Sequence, residues 1–448
     1  MYLRKVWIEN IRCFGGDSQK VELDLQRPDG SFSGWTVVAG RNGTGKSTFL
    51  KALALAIVGP TAARSLVPSF AGWVRGGAPW GYMGVEIETD PIQDGFRRGG
   101  KTPGDGTFWA QLKLESQPEG PEPSVNAYSE RGATTVSAER GPWAENPKGW
   151  FVAGYGPFRR LSGHTIDSVR LMTGPGRLAR LVTLFREDAS LSECVEWLRN
   201  EVYLRRLENK PGAAALETNI IGLLNDGLLP DDVKIRSIDS DGLWVERQGL
   251  ILPLRDLADG YRTVIALVLD IVKQLHTNAG MLVVDQDKQG HFDVGHTGVV
   301  LIDEMDVHLH VAWQQRIGVW LKQHFPGIQF IVTTHSPFIC QAADPRGLIR
   351  LPVPGNGERA EHVSDELFKE IVNGGADAAA MTDLFGLEHA HSPESELLRE
   401  RVAILEAKLI RNQATAEEEA ELRRLRQSLP TTGSMAVEMA LRAVKAAE

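Results

Sequence analysis

The chain has 448 residues, which at about 100–200 residues per domain allows roughly two to four domains. Hydrophobic residues make up 42% of it and charged residues 24%, and these proportions argue against a disordered, fibrous or membrane-embedded protein. The formal net charge is −9, so overall charge gives no argument for nucleic-acid binding, which would need a local basic patch.

Cysteine usage and the N-terminus bear on the compartment. Cys13, Cys194 and Cys340 are far apart and form no C-x-x-C pair, which fits a reducing environment without disulfides or a zinc site. Charges at Arg4 and Lys5 interrupt any apolar leader, and no run approaches the roughly 18 apolar residues of a membrane span. We therefore expect a cytoplasmic protein with no membrane partner.

In chain order, the N-terminal third predicts strands, a loop and a buried helix. Apolar patterning predicts strands over Tyr2–Ile11, Val21–Leu25 and Trp35–Ala39. The alanine-rich stretch Phe49–Val58 predicts a buried helix. Residues 88–150 are richer in Gly, Pro and polar residues, and they predict a β-rich insertion with long loops.

The middle of the chain alternates between helical and strand patterns. Residues 177–225 have helical periodicity, and a hairpin signal joins Val233–Ile238 to Leu243–Arg247. Tyr261–Leu275 is a strongly apolar predicted helix. Further on, Val299–Ile302 and Gln329–Thr333 are typical of buried parallel strands, with a helix predicted between them.

Two charged amphipathic helices are predicted near the C-terminus, over Glu394–Ile410 and Ala416–Leu429. We expect them to form an antiparallel hairpin closed by leucines, too short for a coiled-coil arm. The leucines expected at the contact are Leu398, Leu405, Leu409, Leu422, Leu425 and Leu429.

The first motif with chemical meaning is a phosphate loop. Residues 40–47 match G-x-x-x-x-G-K-[ST] between a predicted strand and a predicted helix, the context that the motif requires. Its glycines let backbone N–H groups close around phosphates at a helix N-terminus. Lys46 would pair with the β- and γ-phosphates, and Ser47 would hold Mg²⁺. The sequence therefore predicts binding of ATP with Mg²⁺.

Two further motifs follow apolar strands. Asp303 and Glu304 end one strand, where Asp303 can ligate Mg²⁺ and Glu304 can polarise the attacking water. His335 follows the next strand, at the edge where α/β sheets bind ligands, and can sense the γ-phosphate. Ordinary surface charges and a loop histidine are the alternatives, but a phosphate loop in the same chain favours the functional interpretation.

The segment Leu257–Arg262 precedes the helix predicted from Tyr261. One interpretation makes Asp259 a helix N-cap, since Asp is common there. The other aims Asp259, Gly260 and the helix N-terminus at a γ-phosphate bound by a second subunit.

In this order, the motifs resemble those of ABC-type ATPase heads. IENIRCF resembles the opening of the SMC, RecF and OLD-like group, and LIDEMDVHLH followed by TTHSP resembles two later segments of that group. GYGPFRRL, LFREDASLSECVEWL and LADGYRT are similar to stand-alone ATPase subunits of bacterial antiphage systems of the Septu kind. The resemblance covers most of residues 1–390.

The resemblance implies an α/β fold, an ABC-type P-loop ATPase head with a β-rich sheet, a helical lid and a C-terminal helical hairpin. ATP would be hydrolysed at composite sites in a head-to-head homodimer or higher oligomer, regulating a separate nuclease effector. The implied segments are 1–176, the N-terminal lobe; 177–260, the lid and hairpin up to the signature; 261–390, the C-terminal lobe; and 391–448, the helical hairpin.

Carried over position by position, the resemblance makes Glu304 the catalytic base, His335 the switch, and Ser47 and Asp303 the metal ligands. The implied nucleotide-binding residues are Arg12, Gly40, Asn42, Gly43, Gly45, Lys46, Ser47, Thr48, Asp259 and Gly260. Two departures stand out. Val311 occupies the usual proline position after H-L-H, and no magnesium-loop glutamine is identifiable, although GYGPFRR occupies a plausible region for it.

Other functions stay open on the sequence. Residues 159–206 contain nine arginines and six acids, 9 − 6 = +3, which could grip DNA or RNA or could form a solvated face with salt bridges. A repair clamp that binds DNA directly is the main alternative, and a transporter subunit fits the motifs less well. No D-x-D pair follows His335, so a nuclease activity is expected on another chain.

Overall fold

The computed structural model describes residues 1–16, 19–97, 106–118, 120–129, 134–159, 172, 176–230, 233–287, 290–389 and 391–429. The chain forms two compact units, Met1–Ala376 and Asp377–Glu448. The phosphate loop, the D-E strand, the switch histidine and the signature segment all belong to the first unit. The division into four segments predicted from the sequence stays a prediction.

The strands are β1 (Tyr2–Glu9), β2 (Val21–Asp24), β3 (Gly34–Ala39), β4 (Trp80–Glu88), β5 (Thr107–Gln117), β6 (Gly120–Ala127), β7 (Val152–Tyr155), β8 (Lys234–Asp239), β9 (Gly242–Arg247), β10 (Leu250–Pro253), β11 (Val284–Gln286), β12 (Phe292–Val294), β13 (Gly298–Ile302), β14 (Ile328–Thr333), β15 (Leu348–Arg350) and β16 (Glu361–His362).

The α-helices are α1 (Lys46–Leu66), α2 (Val136–Arg140), α3 (Gly176–Ala179), α4 (Val182–Phe185), α5 (Ser192–Trp197), α6 (Arg205–Leu207), α7 (Ala213–Asn225), α8 (Asp259–Ala279), α9 (Val311–His324), α10 (Pro337–Cys340), α11 (Asp365–Asn373), α12 (Ala376–Ala380), α13 (Pro393–Ile410) and α14 (Ala416–Ser428). A π-helical segment, Leu198–Leu204, joins α5 to α6, and a 3₁₀ turn, Leu254–Asp256, precedes α8.

Two sheets build the nucleotide-binding lobe. An antiparallel sheet has the order β2-β1-β4-β5-β6, and a second sheet has the order β16-β15-β3-β14-β13-β7, parallel except for β16. The α/β class predicted from the sequence is confirmed. In the parallel sheet β3, β14 and β13 are neighbours, so the loops that follow them emerge at one edge, where α/β sheets bind ligands.

The two sheets are joined by hydrogen bonds between the side-chain amide of Gln329 and the backbone of Leu3. The Leu3 N–H donates to Gln329 Oε1 at 2.7 Å, and Gln329 Nε2 donates to the Leu3 carbonyl at 2.9 Å. Gln329 is fully buried, so both halves of its amide need these partners. Around this link a single hydrophobic cluster contains Val6 of the antiparallel sheet and Leu301 and Ile331 of the parallel sheet.

Helix α1 extends beyond the predicted Phe49–Val58 at both ends and is kinked at Gly59–Pro60. By length and composition it could cross a membrane, contrary to the expectation that no segment of the chain is apolar enough to do so. Since 72% of its apolar window is buried inside the protein, its hydrophobicity is explained by its place in the core. The helix packs against strands of both sheets.

The C-terminal hairpin contains both predicted helices, and four of the six leucines predicted at their contact lie in it: Leu405, Leu422 and Leu429 are buried there and Leu425 packs against them. Leu405 and Leu422 are buried in a small cluster with Val402, whereas Leu398 and Leu409 are exposed by 39% and 40%. Helix α13 therefore presents a face shifted towards Val402. Three cross-helix ion pairs flank the cluster, namely Arg401–Glu421, Lys408–Glu418 and Arg426–Glu406.

Candidate nucleotide-binding site

The phosphate loop lies between β3 and α1, as the sequence predicts. Gly43 and Gly45 have φ of 79° and 91°, backbone angles that favour glycine. A Cβ at Gly45 would lie 2.3 Å from Cys13 Sγ and 2.9 Å from the Phe14 ring. The turn after β1 is therefore pressed against the loop, and only glycine allows this approach.

Lys46 is turned inward onto its own loop. Its Nζ donates to the Gly40 carbonyl at 2.9 Å and to the Arg41 carbonyl at 3.0 Å. Burial lowers the pKa of Lys46, and the nearby Asp303 and Glu304 carboxylates partly offset this effect. A phosphate in the loop would offer the buried ammonium a stronger, charged acceptor than these carbonyls.

Arg12 lies on the turn that contacts the loop. Its φ is 50°, its guanidinium carbon stands 4.3 Å from the centre of the Trp73 ring, and its backbone N–H donates to the Trp73 carbonyl at 2.8 Å. The Cys13 thiol is 3.8 Å from the Thr44 carbonyl. Arg12 is thus an exposed cation beside the phosphate loop, stacked on a buried indole.

Asp303 and Glu304 directly follow β13. Asp303 is buried and accepts from Thr333 Oγ1 at 2.6 Å, and the Glu304 N–H donates to the same hydroxyl oxygen at 2.8 Å. Glu304 has a φ of 47° and its side chain is partly exposed. Burial, with Asp303 and Asp306 nearby, raises the pKa of the Glu304 carboxyl, as expected for a group at a site of concentrated negative charge.

The residues predicted to hold magnesium fit that role. Ser47 lies in the first turn of α1, which follows β3, and Asp303 follows β13 of the same parallel sheet. A hydroxyl and one carboxylate suffice, because Mg²⁺ takes most of its ligands from waters and phosphates. Among the described residues, no group of three or more His, Cys, Asp or Glu is arranged so that it could hold a metal ion by itself.

Arg159 belongs to this site, although its place in an arginine-rich segment had suggested a nucleic-acid patch. It is 2% exposed, and burial lowers its pKa to about 10. Its guanidinium donates to carbonyls of the strand end and turn at distances of 2.9 to 3.4 Å. These carbonyls belong to Gly156, Asp303, Glu304, Met305 and Val307. Arg159 therefore holds the D-E turn from inside the protein.

Several other arginines of residues 159–206 that the structure describes are buried or form ion pairs. Arg180 is buried, with Nε donating to the Val152 carbonyl at 3.1 Å. Arg205 and Arg206 form ion pairs with Glu201 and Glu217. Arg160 and Arg170 lie outside the described residues. Of the two interpretations, the face with salt bridges agrees better with these contacts.

His335 lies at the same sheet edge and is exposed. Burial lowers the pKa of its imidazole, and the Lys46 ammonium lowers it further. The ring is therefore biased towards its neutral form, which can both donate and accept a hydrogen bond. The edge thus brings together Lys46, Asp303, Glu304 and His335.

Asp259 and Gly260 begin helix α8 elsewhere in the same unit. The N-cap is Ala258, so the interpretation of Asp259 as a cap is wrong. Asp259 is the first helical residue, is 75% exposed and forms an ion pair with Arg262. A Cβ at Gly260 would lie 3.1 Å from the Trp313 ring, so the helix start packs tightly on α9. No hydrogen bond among the described residues joins Asp259 to the phosphate loop.

The two departures from the resembled pattern have structural counterparts. Without proline at position 311, α9 is capped by His310, whose Nδ1 accepts from the Ala312 N–H at 3.3 Å. In GYGPFRR, Gly154 and Tyr155 end β7 and Arg159 is the buried arginine, so the described part of this segment supplies no glutamine-like ligand. Residues 160 and 161 lie outside the described residues.

These features are typical of P-loop nucleoside triphosphatases, and comparison with known proteins agrees. A family model described as "AAA domain, putative AbiEii toxin, Type IV TA system" matches residues 175–341, and one described as "AAA domain" matches residues 5–77. Septu protein PtuA of Bacillus mycoides is 28% identical over 374 residues, 82% of this chain and 43% of that protein. Retron Ec83 probable ATPase of Escherichia coli is 39% identical over 106 residues, 24% of this chain and 18% of that protein.

Among solved structures, an SMC head bound to the C-winged helix domain of ScpA has a TM-score of 0.46 and 14% identity, covering 82% of this chain and 98% of that one. The chain spans 43% and 41% of the two Septu relatives that it matches. The resemblance to Septu proteins, expected from the motifs, is confirmed by these sequence similarities, which also include a probable ATPase.

Proposed function

We propose that the chain is an ATPase that binds ATP with Mg²⁺ at composite sites between two copies and thereby regulates a nuclease in antiphage defence. The observation that carries the catalytic part is the shared sheet edge. There, a phosphate-loop lysine, a buried aspartate, a glutamate with a raised pKa and an exposed histidine follow neighbouring parallel strands.

Within this proposal each side chain has a distinct task. Lys46 leaves the loop carbonyls for the β- and γ-phosphates, and Asp303 with Ser47 holds the metal. Mg²⁺, when bound, neutralises phosphate charge. Glu304 orients and deprotonates the attacking water, and His335 donates a hydrogen bond to the γ-phosphate.

The catalytic assignment is tested by two variants measured for ATP binding and for turnover. Lys46→Ala is expected to lose nucleotide binding, because it removes the one buried ammonium in the loop. Glu304→Gln is expected to bind ATP as well as wild type and to lower kcat by about a hundredfold or more, the usual effect of losing a general base. It should also trap ATP-bound dimers, seen by light scattering. Equal turnover by wild type and Glu304→Gln would refute the base.

The composite-site part is supported by the signature segment. Asp259 projects from the start of a 21-residue helix and is 75% exposed, so it is available to a second copy. A helix N-terminus carries a partial positive charge that suits a γ-phosphate. If Glu304→Gln stays monomeric both with and without ATP, the composite site is refuted, whereas the assignment of the phosphate loop is unaffected.

The regulatory part is supported by the named relatives, a Septu protein and a retron probable ATPase. In our proposal the nuclease is a separate partner protein. It is tested by tagging the chain in its own cells and assaying the purified complex for DNA cleavage with and without ATP. We expect the complex purified with Glu304→Gln to cleave DNA at a different rate from the wild-type complex. A complex without nuclease activity would refute the regulatory role.

A further inference from the structure

The loop that carries His335 is fastened on both sides of the histidine. On one side, Asp306 Oδ1 accepts from Thr334 Oγ1 at 2.5 Å and from the His335 N–H at 3.2 Å. On the other side, Ser336 Oγ donates to Gln314 Oε1 at 2.6 Å. Asp306 belongs to the D-E turn and Gln314 to α9, so the histidine backbone is fixed by elements outside its own loop.

The Gln314 side chain is also bonded to the backbone of the turn that carries Asp306. Gln314 Nε2 donates to the Leu309 carbonyl at 2.8 Å and approaches the Asp306 carbonyl at 3.4 Å. Arg159 donates to the carbonyls of Met305 and Val307, the residues on either side of Asp306. The backbone on both sides of Asp306 is therefore held by a buried arginine, which gives the Asp306 carboxylate a fixed point of attachment.

The Thr334 hydroxyl connects Asp306 to Ser336, the residue that follows His335. Thr334 is fully buried, its hydroxyl donates to Asp306, and its oxygen accepts from the Ser336 N–H at 2.9 Å. One hydroxyl thus connects the D-E turn to the residue after His335. A hydroxyl can donate and accept at once, which valine of similar shape cannot.

We propose that Asp306 and Gln314 are positioning residues that set the place of His335 relative to Glu304, with the Thr334 hydroxyl as their link. The inference rests on the proposed ATPase function and deepens it. Neither side chain has to touch nucleotide. Their effect arises because the γ-phosphate must meet the histidine and the glutamate together, and a misplacement of about 1 Å can cost a hundredfold in rate.

A matched pair at Thr334 tests the link in the full-length chain. Thr334→Val keeps the shape and removes the hydroxyl, whereas Thr334→Ser keeps the hydroxyl. We expect Thr334→Val to lower kcat by about 10- to 100-fold with KM for ATP unchanged, and Thr334→Ser to restore most of the rate. Equal kcat in both variants, or a change confined to KM, would overturn the inference. Thermal unfolding of both variants checks that they fold.

A double-mutant cycle shows whether Asp306 acts through the histidine. Asp306→Ala and His335→Ala are each expected to lower kcat. If Asp306 only positions His335, the double variant should be no slower than the slower single variant. Effects that multiply would overturn the inference, since Asp306 would then act independently of the histidine.

A readout without turnover separates this inference from the proposed function. In protein labelled at histidine, the His335 imidazole signal is identified by its loss in His335→Ala. A shifted or broadened signal in Thr334→Val, but not in Thr334→Ser, is expected. An unchanged signal in Thr334→Val would overturn the positioning role. A wild-type chain without ATPase activity would instead refute the proposed function, whatever this signal does.

Discussion

The edge of the parallel sheet and the start of helix α8 both carry charged residues in signature-like motifs, yet they are built in opposite ways. At the sheet edge, Asp303 is 2% exposed and its carboxylate accepts from a neighbouring strand. At the helix start, Asp259 is 75% exposed and is paired with Arg262. The first carboxylate is bonded inside the fold, whereas the second lies at the surface, where the second copy of our proposal would meet it.

Mixing two inactive variants gives the largest expected effect. Lys46→Ala damages the phosphate loop and Asp259→Lys damages the helix start, and each alone should lower ATPase activity by about a thousandfold. In a mixed dimer one site keeps an intact loop from one copy and an intact helix start from the other. Random mixing should then restore about a quarter of wild-type activity. If the mixture recovers no ATPase activity, Asp259 acts within its own chain, and the helix start then no longer differs from the sheet edge in serving a second copy.

The buried side of the comparison is tested at Arg159. Arg159→Met keeps a stem of similar length but leaves buried carbonyls of the D-E turn without their donor. We expect the free energy of unfolding to fall by about 3 kcal/mol, since unsatisfied buried polar groups are costly. Urea unfolding followed by circular dichroism measures this. A loss below about 1 kcal/mol would show that the turn keeps its shape without the arginine.

Substitution at the exposed start of helix α8 should change the free energy of unfolding least. Arg262→Ala removes the partner of Asp259 at the surface, and exposed pairs contribute about 0–1 kcal/mol. We therefore expect the free energy of unfolding to change by less than about 0.5 kcal/mol in the same urea measurement. A loss as large as that of Arg159→Met would mean that the helix start is part of the folded core.

The sequence predicts the site well where a motif requires particular secondary structure on either side of it. The phosphate loop needs a strand before it and a helix after it, and Gly40 to Ser47 has both. Strand ends carrying Asp303 and His335 are also visible, because buried parallel strands are continuous apolar runs. Their meeting at one edge then follows from neighbouring parallel strands.

What the sequence could not show depends on tertiary burial. Arg159 stands in a run of arginines and looks like surface charge, and only the packing of β7 beside β13 turns it inward. Likewise, heptad-like leucines predicted the hairpin contact, but Leu398 and Leu409 are turned away from it. The link from Asp306 to Thr334 joins residues 28 apart whose spacing carries no recognisable signal.

The amide link between Gln329 and Leu3 has a consequence for how the chain is made. Its two partners are 326 positions apart, and the central strand β3 pairs with β14 across nearly the same separation. Long-range pairings of this kind slow folding, because the intervening chain must be closed first. On the ribosome, the strand that leads into the phosphate loop waits for residues 328–333 before it gains this neighbour. Until then its edge is unpaired, and an unpaired apolar strand edge in a nascent chain is open to aggregation.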